Sequence, residues 1–531
     1  MPHSAKRYPW DFMDRLGWKP AGLFLLAYSV LLRVPSLRSD SPIHSDSPAF
    51  LQVVALLRGE WGGSVAPFRV EYPVYPYLIF VVNHFVPNWL LAAKWAAFLP
   101  SVLVPAIVFG ATLVVSLDRY AAFFAGFLAA SSPPLILIGA APLYDSIFIF
   151  AFALFILVGL LFVRRPNWTM AVLVGVVMGL CCASRGLGLF LVPPFLAALL
   201  VIPGISARRK WSVAFVVLAI LFTTASLIRL PAKIAAGRLP SDPTNCFKEV
   251  MADGIRYAGG NRDSVVYRLN ESATAFEVDE SGICELTWKQ FASRYLRDQL
   301  KAFAINFKRI VLYDFVALIS PFIVLFVPLT LGSGRLSSKA HLPESLFLGI
   351  ACASFLILVP AVQYQDRYLF PLIVPMSVVA GIGCAELLIG DVRRRWVLML
   401  VTTIAFVAGI DGFRHILVRD ETEANYRKAS EWIVAHNGEG FTFGVMERHH
   451  GAYAYLKHGL VMLPVDEPQR VKNYAEHMNV KYLLAGPEER RHNPVFLNDT
   501  AFLRSVGKFG SGSESVQVLE MIRNSSGAQS Q

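Results

Sequence analysis

Four places in this chain put ionisable side chains where the neighbouring sequence is apolar: Asp46 in "HSDSPAF", Asp145 in "APLYDS", Arg185 in "ASRGLG", and Asp366-Arg367 in "QYQDRY". Two kinds of chemistry are open to such a set. A carboxylate can take a proton from an attacking hydroxyl. A guanidinium offers a planar fork to phosphate oxygens and keeps its charge in a dry site. Whether the residues act together depends on the elements that carry them.

Those elements are set by composition. Of 531 residues, 55% are hydrophobic and 16% charged, with a mean hydropathy of +0.50, against roughly 25% charged in soluble domains. The chain must lie largely in lipid. Apolar runs able to cross a hydrocarbon core of about 30 Å fall near 20–36, 88–117, 120–138, 143–163, 168–184, 187–204, 211–229, 309–331, 344–362, 368–390 and 396–412. The expected fold is therefore mainly α, a polytopic transmembrane helical bundle of about eleven spans over 1–412, with outer loops near 37–87 and 230–308. The first run follows a basic start (Lys6, Arg7, Arg15, Lys19) and lacks a small-residue cleavage site, so it reads as a retained span.

Basic clusters resist translocation. With a cytoplasmic N-terminus, Arg119, Arg164-Arg165, Arg208-Arg209-Lys210, Arg335 with Lys339, and Arg393-Arg394-Arg395 all fall inside. The net charge of +11 is then an orientation signal and does not argue for nucleic acid. The same parity puts Asp46, Asp145, Arg185 and Asp366-Arg367 at the outer ends of spans. Ionisable groups at membrane depth are expensive and usually line a cavity, so several on one side suggest a shared one.

Asp46 and Asp40 occupy nearly identical Ser-Asp-Ser-Pro contexts. After Asp46, Pro48 suits a first helical turn, and Phe50, Leu51, Val54 and Leu57 recur at helical spacing up to Gly59. Asp46 would stand at that helix's positive end; Asp40 has no helical run behind it and reads as a turn residue. Each residue of the set has a plainer alternative. Asp46 can cap a turn, Asp145 a helix start, Arg185 can reach to headgroups, and Arg367 can pair with Asp366. His44, Arg69, Glu71 and Tyr75 are secondary candidates in the first loop.

Five stretches in order, "HSDSPAFLQVVALLRGEW", "VEYPVYPYLIFVVNHF", "SSPPLILIGAAPLYDSIFIFAFALF", "GVVMGLCCASRGLGLFLVPPF" and "DRYLFPLIVPMSVVAG", resemble the landmarks of GT-C polytopic glycosyltransferases over about residues 20–390. The likeness is to the branch of protein O-mannosyltransferases and bacterial aminoarabinose (lipid A) transferases. It implies transfer of a sugar from a polyprenyl-phosphate (undecaprenyl-phosphate) donor to an acceptor lipid, polysaccharide or protein on the outer face. The family's first-loop acid matches Asp46, its second loop acid Asp145, and its basic residue before a Pro-containing span Arg185. The chain departs where relatives carry an acidic pair, since Asp46 is followed by Ser47, and where "PPL" reads "YPVYP".

The leaving phosphate of such a donor needs no proton, whereas the acceptor hydroxyl must lose one, so one base and several cations suffice. Asp46 suits the base; Arg185 and Arg367 suit the phosphate. Asp145 can anchor an arginine, position the acceptor or hold a divalent cation. No cofactor is firmly implied, and no Cys or His spacing resembles a zinc site, "ERHHG" (Glu447 to Gly451) included. Cys246 and Cys284 share the long outer loop and are disulfide candidates in an oxidising compartment. A transporter or flippase of lipid-linked sugars is the competing reading; it would place charge near mid-membrane.

Residues 413–531 read as a small α/β domain outside the membrane, with helices in "ETEANYRKASEWIVAHNG" and "EPQRVKNYAEHMN", strands in "FTFGVM", "VKYLLAG" and "SVQVLEMI", and a disordered tail. The branch resembled implies the bacterial inner (cytoplasmic) membrane and a periplasmic C-terminal domain.

Overall fold

The computed structural model describes residues 18–37, 47–59, 70–237, 286–315, 319–332, 341–362, 365–389, 392–417, 421–438, 443–447 and 460–522, with isolated positions between 248 and 283. Among the described residues the bundle has the helices α1 Trp18–Arg33, α2 Ser47–Leu57, α3 Val74–Asn83, α4 Trp89–Ser116, α5 Arg119–Ala130, α6 Pro133–Ala140, α7 Asp145–Arg164, α8 Trp168–Ser184, α9 Val192–Val201, α10 Ala207–Ala235, α11 Trp288–Arg309, α12 Pro321–Gly332, α13 Leu342–Val362, α14 Ile373–Ile389 and α15 Val392–Leu417. Among the described residues, seven helices are long and apolar enough to cross a membrane, or eight if the bent pair α5–α6 counts as one. The chain is an integral membrane protein.

Local signals start these helices. Asn88 accepts from Leu91 N at 2.9 Å to open α4, and Asp118 Oδ1 accepts from Tyr120 N at 2.8 Å to open α5, each satisfying a donor that a helix start leaves unpaired. Prolines divide them. The predicted run 120–138 bends by 54° between α5 and α6, because Pro133 and Pro134 have no N–H to continue the ladder. The carbonyl of Ala130, which Pro134 cannot serve, accepts instead from Arg33 Nη1 at 3.5 Å.

The bundle's centre is α7, which packs on α4 and α8. Its Phe148, Phe152 and Phe155 are fully buried and meet Phe355 and Phe347 of α13. Without a water-driven apolar effect between helices in lipid, such dispersion contacts hold spans together.

Two further predicted runs differ from what is observed. The run 187–204 is a 3-10 turn, Gly186–Leu191, followed by the ten-residue α9. The run 309–331 contains the end of α11, a five-residue π turn over Ile310–Asp314 and the twelve-residue α12. Ser320, at φ +86°, and Pro321 set where α12 begins. The predicted long outer loop holds most of α11, opened by a capping box between Thr287 and Gln290.

The C-terminal unit has helix α16 (Glu421–Asn437) and strands β1 (Gly444–Glu447), β2 (Leu460–Met462), β3 (Val480–Ala485), β4 (Leu503–Phe509) and β5 (Val516–Met521), with α17 (Pro468–His477) before β3 and α18 (Pro487–His492) after it. The sheet order is β2-β1-β3-β5-β4. Strands β2, β1 and β3 run parallel, and β5 and β4 are antiparallel additions. The predicted helices and three predicted strands are present; β2 and β4 are additional edge strands. Strand β2 has three residues and β4 is largely exposed, so neither gives an apolar run to read. Part of the predicted outer loop docks here: Leu269 N donates to Asp466 Oδ2 at 3.0 Å, and Arg470 Nη2 donates to the Leu269 and Asn270 carbonyls at 3.0 and 2.6 Å. That segment and the C-terminal unit therefore share one side of the bundle. Residues 523–531, the predicted tail, lie outside the described residues.

Candidate active site

Three chain breaks meet at one point. Asp145 is the first residue of α7, where the backbone dipoles favour its anion. Arg185 ends α8 in extended conformation (φ −166°, ψ 145°), its N–H bonded to the Cys181 carbonyl at 2.9 Å. Arg367 sits in the 3-10 turn Asp366–Leu372 between α13 and α14. Each break frees a side chain from a helix ladder and turns it inward.

There Arg185 Nη1 pairs with Asp145 Oδ1, and Arg367 Nη1 lies 3.5 Å from Asp145 Oδ2. Two guanidiniums share one carboxylate, so these three side chains together carry one net positive charge. Asp145 is 1% exposed and Arg185 4%, while the Arg367 side chain, at 17%, is the more accessible of the two arginines. Arg185 Nη2 has no hydrogen-bond acceptor among the described residues. Burying a guanidinium N–H without a partner costs a few kcal/mol, more than for a neutral group. The arrangement suits an anion bringing oxygen acceptors.

Aromatic rings fix the guanidinium. Arg185 Cζ lies 4.0 Å from the Tyr368 ring centroid and 4.7 Å from that of Tyr144; a desolvated contact of this kind contributes about 2 kcal/mol. Tyr72 stacks on Tyr144 at 6.4 Å. Gly186 keeps the approach open, since a Cβ there would come within 2.8 Å of the Tyr72 hydroxyl. Phe50 of α2 meets Tyr144 edge-on at 5.0 Å, bringing the helix of the first loop against the residue next to Asp145.

A second charged cluster backs the first. Glu71 pairs with Arg229 at 3.1 Å and Lys233 at 3.4 Å. Arg229 also donates to the carbonyls of Glu71 at 2.9 Å and Cys182 at 2.8 Å, stapling the first loop and α10 to the end of α8, three residues before Arg185.

Of the residues singled out in the sequence, Asp145, Arg185 and Arg367 come together. Arg185 is buried in an ion pair and does not reach toward headgroups. Arg367 meets Asp145 and accepts orientation from Gln365, to whose Oε1 its Nε donates at 3.0 Å; the side chain of Asp366 lies outside the described ones. Tyr75 is fully buried, its hydroxyl donating to the Ala93 carbonyl at 2.9 Å, which binds α3 to α4. Asp46, with Asp40, His44, Arg69, Cys246 and Cys284, lies outside the described residues, although α2 begins at Ser47. Among the described residues no three His, Cys, Asp or Glu side chains gather to hold a metal ion.

Sequence reading missed Arg229 and Lys233, whose four-residue spacing at the end of α10 was the available signal. It also missed the aromatic clamp and Arg33. Arg33 is fully buried at the end of α1, where Nη1 donates to Ser29 Oγ at 2.9 Å and Nε and Nη2 have no partner among the described residues.

No family model matches this chain, and no curated protein matches it. Solved structures do. ArnT from Cupriavidus metallidurans, determined bound to undecaprenyl phosphate, superposes with a TM-score of 0.57 at 14% identity, covering 95% of this chain and 98% of that one. The Archaeoglobus fulgidus oligosaccharyltransferase, tethered with an acceptor peptide containing the NVT sequon, gives a TM-score of 0.58 at 13% identity over 95% of this chain and 74% of that one. A likeness that covers nearly all of this chain at such low identity is one of architecture, and the chain has the fold of the GT-C glycosyltransferases.

Proposed function

We propose that this chain is a membrane glycosyltransferase that moves a sugar from a polyprenyl-phosphate carrier to an acceptor on the outer face. The observation that carries the reading is the buried, net-positive Asp145–Arg185–Arg367 centre with an unserved N–H on Arg185. A phosphate monoanion would complete its hydrogen bonding. The fold shared with a protein solved with undecaprenyl phosphate supports the choice of anion.

In this mechanism the acceptor hydroxyl attacks the sugar's anomeric carbon while the bond from that carbon to the phosphate oxygen breaks. The electron pair leaves with the phosphate, held by Arg185 and Arg367, and the hydroxyl proton passes to Asp46. Asp145 anchors both arginines and keeps their charge aimed at one point. The contact of Phe50 with Tyr144 supports Asp46 as base, because α2 begins one residue after it. The cell we propose is bacterial, the membrane the inner one, with residues 1–412 as the transferase module and 413–531 in the periplasm; the docking of Leu269 on the C-terminal unit supports one shared side for both outer segments.

The test is reconstitution of the purified chain in lipid with labelled polyprenyl-phosphate sugars and membrane extract. Consumption of carrier with label appearing on an acceptor is expected. Movement of intact carrier across the bilayer without bond cleavage would instead establish a flippase.

A further inference from the structure

Helix α11 carries a pattern that the proposed reaction does not use. Over Trp288–Arg309 it holds six cations, Lys289, Arg294, Arg297, Lys301, Lys308 and Arg309, against one carboxylate, Asp298, which pairs with Lys301 at 3.7 Å. Its buried face, Ala302 and Asn306 among others, rests on α13: Asn306 donates to the Pro360 carbonyl at 3.4 Å and Gln299 donates to that of Ala361. These carbonyls end α13 and lack helical partners, so α11 caps the segment leading to Arg367.

Two exposed stripes flank that face. Leu296, Leu300 and Phe307 recur at intervals of four and seven residues, and Leu300 is 60% exposed. Arg294, Arg297, Lys301 and Lys308 recur at three, four and seven residues and are exposed beside them, with the exposed Ile305 between the last two. Helical geometry makes each set one continuous stripe. An exposed apolar stripe alone is ordinary on a membrane protein. An apolar stripe running beside a basic one is the form of a helix lying in the interface, with carbon atoms among acyl chains and cations among headgroup phosphates. Lys and Arg in short loops set orientation, but this long segment precedes α12 on the side of the C-terminal unit, where the orientation rule gives no reason for them.

We infer that α11 lies in the plane of the outer leaflet and selects anionic phospholipid headgroups beside the entry to the Arg367 turn. Charge complementarity commits the occupant to a net-negative lipid surface: a neutral leaflet leaves the basic stripe unmatched, and a soluble acidic protein would leave the apolar stripe in water. The inference needs only the membrane and the outer position of α11, not the transferase reading, and its test reads no sugar transfer.

The full chain is reconstituted in nanodiscs of equimolar phosphatidylcholine and phosphatidylglycerol, and the lipids that stay bound after gentle extraction are counted by native mass spectrometry. A preference for phosphatidylglycerol is expected, on the order of tenfold, and it should vanish in the Arg294→Gln, Arg297→Gln, Lys301→Gln, Lys308→Gln variant. A thermal melt matching the parent certifies that this variant is folded. An environment-sensitive fluorophore on Leu300→Cys should emit as in lipid and one on Lys301→Cys as in the headgroup region, relative to the unsubstituted chain. Equal retention of both lipids by the parent, a preference that survives the fourfold change, or a water-like signal at position 300 overturns the inference.

Discussion

Arg367 reaches the same carboxylate as Arg185: its Nη1 lies 3.5 Å from Asp145 Oδ2, although 182 residues separate Arg367 from Arg185 and the two belong to different chain breaks. One anion therefore orders two cations. The buried arginine is fixed by rings and charge, and the outer one remains reachable. An incoming phosphate would meet a preorganised fork, with little reorganisation left to the reaction itself.

Arg185→Lys keeps the charge and loses the planar fork. We expect turnover to fall about 10- to 100-fold, the equivalent of one charge-assisted hydrogen bond of about 1.5–3 kcal/mol, with the thermal melt close to that of the parent. Unchanged donor affinity and turnover would remove Arg185 from the phosphate site.

Asp46→Asn keeps shape and loses basicity, so transfer should fall roughly 10²- to 10⁴-fold, the usual contribution of a positioned base, while donor binding stays near normal. Asp40→Asn, in an almost identical sequence context, should transfer normally. Assayed side by side, the reverse pattern would move the base to Asp40, and two active variants would exclude both.

Gly188 packs against backbone: a Cβ there would stand 2.4 Å from Cys182 N and 2.6 Å from Cys181 C. Backbone cannot rotate aside, so Gly188→Ala should cost about 1–3 kcal/mol or more and shift Arg185, three residues away. Gly349→Ala, where nothing lies within 4 Å, should be neutral or stabilise α13 by up to about 1 kcal/mol. Comparing the melts and transfer rates of the two variants checks the close approach directly; similar behaviour of both would refute it.

In the C-terminal unit, Tyr426 donates to Glu489 Oε2. Burial, followed by the charges of Glu489 and Glu447, holds the Tyr426 phenol well above its ordinary value, which is about 10. The folded unit thus binds this proton more tightly than the unfolded chain. Its contribution is fully present below about pH 10 and is lost as pH rises beyond that, when the unfolded chain ionises first. Hydrogen exchange at β1 and β3 in the full chain should accelerate between pH 9 and 11, and less so in Tyr426→Phe. At pH 7 the same variant should be less stable by about 1–3 kcal/mol, since the buried Glu489 carboxylate loses the phenol donor that it shares with the Gly486 N–H at 2.9 Å. An alkaline response unchanged by the substitution would assign it to other groups.

Hydropathy and basic clusters by themselves determined that most of this chain is a helical bundle in lipid, because the cost of unpaired backbone in hydrocarbon allows long apolar runs little else. The polar breaks in those runs named Asp145, Arg185 and Arg367 for the same reason: charge near lipid stands out against its surroundings. The order of five short motifs named the architecture. Tertiary structure alone decided what those residues meet. Nothing local to "APLYDS" says that Asp145 binds two arginines, that Tyr144 and Tyr368 enclose one of them, or that Arg229 and Lys233 converge on Glu71. Such pairings depend on which helix ends are neighbours, and pairwise charge interactions fall off with distance in space, with no reference to distance along the chain. The breaks at Gly186–Leu191 and Ile310–Asp314 escaped for a related reason. Hydropathy measures how much a segment prefers lipid, whereas packing and proline decide whether it crosses unbroken.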